Sequence, residues 1–80
     1  MTRAAILEKL TELFRDIFDD KYLTIDDATT SEDIESWDSL THIMLLNAVE
    51  HEFGIVLEMK SVQGQKNVGE LVDLIEKKLG

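Results

Sequence analysis

Ser39 stands between Asp38 and Leu40, where an acidic stretch gives way to an apolar helical period. An Asp directly before a helix is a favoured N-cap, because its carboxylate accepts from backbone N–H groups that lack partners in the first turn. That fixes Ser39 at the helix mouth, with its hydroxyl towards solvent. A hydroxyl placed there is open to another enzyme and badly placed for buried catalysis. The chemistry expected is modification of Ser39, not catalysis by it.

Two other constellations invite a reading. Ser39 and His42 lie about one helical turn apart and could be neighbours. A hydrolase would also need a third group to orient the His, and an oxyanion hole. A single exposed turn supplies neither, so no catalytic residue is expected, and His42 should pack at the junction of loop and helix. Asp19, Asp20, Asp26, Asp27, Glu32 and Asp33 suggest calcium. An EF-hand loop needs oxygen ligands at fixed alternate positions and a central Gly. Residues 19–33 contain no Gly, so no dedicated metal site is expected, only loose divalent binding that relieves repulsion.

Eighty residues suffice for one small domain, spanning 1–80. There is no cysteine, hence no disulfide and no thiolate metal site. No apolar run is long enough to cross a membrane, and no leader pattern precedes the first helix. A soluble, cytoplasmic monomer is the expectation. The net charge of −9 opposes nucleic-acid binding and favours partners with basic patches. Residues 21–38 hold six acidic groups against one Lys, whereas residues 61–80 balance to zero.

Ser39 is positioned by helices. The chain has no Pro and little alternating β-branched pattern. Helix one is expected from Arg3 to about Asp19 with Thr2 as cap. Ile6, Leu10, Leu13, Phe14 and Ile17 form its inner stripe, with Leu7 and Phe18 at the edge. Residues 20–37 show no helical period, and Tyr22, Leu23, Ile25, Ile34 and Trp37 should pin them. Helix two should run from Ser39 to Phe53 and end at Gly54, after which Ile55 folds back onto Val49. A short turn is expected near Met59–Gln63. Asn67-Val68-Gly69-Glu70 resembles a capping box opening a last helix to about Leu79. Its inner residues would be Val68, Leu71, Val72, Ile75 and Leu79, with Lys77 and Lys78 at the negative end of its dipole. The fold class is all-α, a small antiparallel bundle of three main helices plus a short fourth, with a long loop after helix one.

On helix two, at about 100° per residue, Leu45, Leu46, Val49 and Phe53 share one face. Leu40, Met44, Asn47 and His51 fall nearly opposite, with Ile43 between. Leu and Met turned away from a core imply either cover by the loop or the short helix, or an apolar docking patch. In the second case Leu40, Ile43, Met44 and Asn47 would meet a partner, with Asp38 and Glu50 on the rim.

Asp38-Ser39-Leu40 opens helix two after a long acidic loop, and Glu50-His51-Glu52-Phe53-Gly54-Ile55 closes it. In these residues, and in length, acidity and helix order, nearly the whole chain resembles the acyl carrier protein family. The resemblance implies that Ser39 carries 4′-phosphopantetheine, derived from coenzyme A, on a phosphodiester, and that the terminal thiol holds an acyl group as a thioester. It implies as partners a phosphopantetheinyl transferase and acyl-loading and acyl-processing enzymes with basic or apolar docking patches. The chain departs from the fatty-acid form, whose helix two is strongly acidic on its exposed face: here His42, Met44, Asn47 and His51 replace much of that acidity. That difference points to a specialised biosynthetic pathway. Peptidyl carriers usually have a Gly-rich step before the serine, and Glu35-Ser36-Trp37 is not one. An aminoacyl or peptidyl carrier, or an acidic helical interaction module without cofactor, stays open as an alternative.

Overall fold

The structure, a computed structural model, describes residues 1–57 and 67–80. The described residues form three helices, α1 (Arg3–Ile17), α2 (Ser39–Phe53) and α3 (Val68–Leu79), and no strand. The turn expected near Met59–Gln63 lies outside the described residues. The all-α bundle is the architecture expected, and α1 is its centre, packing against both α2 and α3.

Each helix begins at a side-chain cap. The Thr2 hydroxyl accepts from the Ala5 N–H at 3.1 Å, and Asn67 Oδ1 accepts from the Glu70 N–H at 2.9 Å. These caps satisfy donors that the helices cannot satisfy themselves. Ile6, Leu10 and Phe14 of α1, Leu45, Leu46 and Val49 of α2, and Val68, Leu71, Val72 and Ile75 of α3 are buried. Ile34 of the long loop joins them. Each such side chain contributes about 1.5–3 kcal/mol relative to leaving it in water.

α1 stops at Ile17, short of the expected Asp19. Asp19 takes φ +50°, and the Asp20 N–H donates back to the Arg15 carbonyl at 3.0 Å. That is a Schellman ending with Asp in the place where Gly is usual, which is why the sequence did not announce it. At the end of α2, Gly54 takes φ +64° and the Ile55 N–H donates to the Glu50 carbonyl at 3.1 Å. Ile55 packs on the core, as expected of the residue after such a turn.

The long loop is pinned by Leu23, Ile25, Ile34 and Trp37, which all pack on the core. Tyr22 is not a pin, since it is 82% exposed. Its N–H donates to Asp20 Oδ1 at 3.0 Å within a tight turn, and Arg15 Nε donates to the Leu23 carbonyl at 2.7 Å. That turn sends Leu23 inward and Tyr22 out. Leu13, Ile17 and Phe53 are half-buried at the edge of the core, and Leu79 is 38% exposed in the last turn of α3. Further along, the loop is tied to the start of α3. The Val68 N–H donates to the Thr29 carbonyl and the Gly69 N–H to the Asp27 carbonyl, each at 2.9 Å. Gly69 allows this approach, because a Cβ there would lie 3.0 Å from the Asp27 oxygen. Arg3 closes the same end, pairing with Asp73 and Asp27 and donating to the Gly69 carbonyl.

Candidate functional site

The mouth of α2 is built by a reciprocal cap. Asp38 Oδ1 accepts from the N–H groups of Leu40 and Thr41, each at 3.0 Å. In return the Asp38 N–H donates to Thr41 Oγ1 at 2.8 Å, and that hydroxyl donates to the Ser36 carbonyl at 2.8 Å. The bond from the Thr41 N–H is the main cause holding the Asp38 carboxyl below its usual range, with partial desolvation opposing and the Thr41 hydroxyl and Leu40 N–H adding to it. Thr41 was not singled out by sequence reasoning. A Thr three residues after an Asp cap was the available signal, in a position where capping boxes usually carry Glu or Gln.

Ser39 is the first residue of α2, and it is exposed. Its hydroxyl takes part in no hydrogen bond among the described residues. His42, one turn on, is engaged with Trp37. Trp37 Nε1–H donates to His42 Nδ1 at 3.0 Å, and the two rings lie side by side with centroids 5.9 Å apart and planes inclined by 27°. Trp37 meets Phe14 edge-on at 5.2 Å and lies 6.2 Å from Phe18. His42 thus packs at the loop–helix junction, as its position implied, with the nitrogen a base would use already occupied. Burial lowers its proton affinity below the ordinary value. A Ser39–His42 dyad is not formed.

The outer side of α2 is apolar and open. Leu40 is 68% exposed, Ile43 47% and Met44 45%, with Asn47 and His51 also exposed. Glu50 is half-buried, and its Oε2 accepts from the Leu57 N–H at 2.8 Å, bracing the turn after α2. Glu52 pairs with Lys9 of α1 at 3.1 Å.

A family model described as the phosphopantetheine attachment site matches residues 8–75. The acyl carrier protein of Petrotoga mobilis is 33% identical, the match covering 99% of this chain and 93% of that protein. The chain belongs to the acyl carrier protein family. Among solved structures, the holo acyl carrier protein of Geobacter metallireducens, determined by solution NMR, matches with a TM-score of 0.86 at 40% identity, covering 92% of this chain and 85% of that one. The crystal structure of the Thermotoga maritima acyl carrier protein matches with a TM-score of 0.83 at 26% identity, covering 96% and 89%.

Acyl carrier proteins are non-catalytic carriers that bear a 4′-phosphopantetheine group, receive it from a phosphopantetheinyl transferase, and serve biosynthetic enzymes. The residues of this carrier fit that group. An exposed, unengaged hydroxyl stands at a helix N-terminus, where the partial positive charge favours an anionic phosphodiester. Asp38 already occupies the N–H groups of Leu40 and Thr41, so the cap would hold the attachment point and not the phosphate. No helix among the described residues is long and apolar enough to cross a membrane.

Proposed function

We propose that Ser39 is the attachment residue, and that the chain is a single carrier domain, monomeric and cytoplasmic, that presents acyl intermediates to the enzymes of a specialised biosynthetic pathway. The observation that carries this reading is the Ser39 hydroxyl itself: exposed, unengaged, and held at the mouth of α2 by the Asp38–Thr41 box. The group supplies, when bound, a terminal thiol that holds acyl chains as thioesters. The protein's own part is to fix where that arm is rooted and what surrounds the root. Asp38 and Thr41 hold the first turn of α2 rigid, so that the transferase meets the Ser39 oxygen in one orientation. Leu40, Ile43 and Met44 form the apolar centre of the docking surface, Asn47 continues it, and Asp38 and Glu50 stand at its rim.

The uncharged character of Leu40, Ile43, Met44, Asn47 and His51 supports the specialised role. In a chain of net charge −9, this stretch offers a basic partner little to attract it. Incubation with coenzyme A, Mg²⁺ and a permissive phosphopantetheinyl transferase, followed by intact mass measurement, tests the attachment. A mass increase equal to one phosphopantetheine, mapped to the peptide containing Ser39, is expected. Attachment at Ser31, Ser36 or Ser61 would overturn the assignment.

A further inference from the structure

Trp37 and His42 bracket Ser39 in the chain, and their contact closes the segment that contains it. The Trp37 indole is held at two places. Its Nε1–H reaches His42 Nδ1, with the two ring planes inclined by only 27°, and it meets Phe14 of α1 nearly at right angles. The Trp37 backbone N–H also donates to the Ile34 carbonyl at 3.0 Å, so the indole anchors the end of the long loop as well as the start of α2. For Nδ1 to accept, the ring proton must sit on Nε2. An imidazolium has N–H donors on both nitrogens and cannot accept from the indole.

The surroundings leave the imidazole little else to bind. The rings packed on the Trp37 side, Phe14 of α1 and Phe18 just after it, are uncharged. The acidic residues nearest in the chain are Glu35, which is exposed, and Asp38, whose carboxylate is turned to the N–H groups of Leu40 and Thr41. Burial is the single cause acting on His42, and no charged group of α1, α3 or the loop offsets it among the described residues.

We propose that Trp37 and His42 form a proton-operated clasp that positions Ser39: neutral His42 holds the indole and keeps the segment before Ser39 seated on the core, and protonation at Nδ1 releases it. Trp37 and His42 are positioning residues, acting on the arm's root through the cap they steady. The consequence for partners rests on the reading of Ser39 as the attachment residue, while the clasp itself does not.

The chain has one Trp and two His, which makes the test clean. On the unmodified protein, the Trp37 indole N–H, the His42 ring C–H and the Ser39 backbone amide are followed by NMR from about pH 8 to about pH 5, the range in which histidine titrates. All three are expected to move together, with one midpoint below the ordinary 6.5 of histidine. H51Q should keep that transition, and H42Q should abolish it, since an amide oxygen can accept from the indole without titrating. An indole signal that does not titrate, a Ser39 amide that stays still, or a transition that survives in H42Q overturns the clasp. The wild-type spectra alone decide the matter if H42Q does not fold. The rate of phosphopantetheine transfer to wild type, divided by that to H42Q at the same pH, should fall with the same midpoint. A flat ratio removes the positioning role. A protein that accepts no phosphopantetheine at any pH would defeat the reading of Ser39 and leave the titration to judge the clasp.

Discussion

Ser39 and His42 lie one helical turn apart and serve opposite ends, one kept free and one kept occupied. S39A should fold normally, because an exposed first-turn residue adds nothing to the core and Asp38 caps α2 without it. It should take up no phosphopantetheine, which intact mass reads directly. His42 makes a second prediction, with a definite sign. Its folded proton affinity is lowered by burial, whereas the unfolded chain titrates near 6.5. Protons therefore favour the unfolded state. The His42 contribution is fully present above 6.5 and is lost as pH falls from there through the folded value. Urea unfolding at a series of pH values should show stability declining across this window in wild type and not in H42Q. The Asp38 carboxyl is also lowered, so its contribution is present above 3.8 and disappears only as pH falls below that, in a separate acid window.

At the scale of helices, α2 has two faces that should respond differently to substitution. L45A removes a fully buried side chain and should cost about 2–5 kcal/mol in chemical unfolding. M44E adds a charge to an exposed position and should change stability by no more than about 0.5 kcal/mol. Its effect should fall on partner choice, raising binding to carriers' basic enzymes relative to the native partner in a direct binding assay. A core-sized loss for M44E would mean that this face is covered. The start of α3 gives another test. G69A places a Cβ 3.0 Å from the Asp27 carbonyl, which is backbone and cannot swing aside. The loop must move back from α3, weakening the bonds of Val68 to Thr29 and Gly69 to Asp27, and amide exchange at both N–H groups should quicken.

Over the whole molecule, charge works against the fold. The net charge is −9, and the long loop carries much of it. Its carboxylates are engaged mainly with backbone: Asp20 accepts from Tyr22, Asp26 from Ala28, and Asp33 from Thr30. Such bonds steady the turns without neutralising them. Among the described residues, Arg3 forms an ion pair with the loop through Asp27, Arg15 donates to the Leu23 carbonyl, and Lys21 lies over the Tyr22 ring. Added salt or low-millimolar Mg²⁺ should therefore raise the unfolding temperature, by screening or by loose binding. A melting temperature that falls as salt rises would show that the Arg3 pairs outweigh the repulsion.

Much of this molecule could be read from local signals, because helix caps and apolar stripes are local. Asp38 and Gly54 bound α2 in the sequence as they do in the structure, and Asn67 opens α3. Ser39 at the mouth of α2 follows from the same signals. The end of α1 was hidden, since an Asp in the left-handed conformation carries no marker that distinguishes it from other Asp residues. Tyr22 and Leu79 were hidden for another reason. Apolar type states what a side chain gains by burial, and only the packed neighbours decide whether room exists. The contact between Trp37 and His42 belongs wholly to the tertiary structure. The two residues share no helix, and only the seating of the indole against Phe14 brings its N–H to the imidazole.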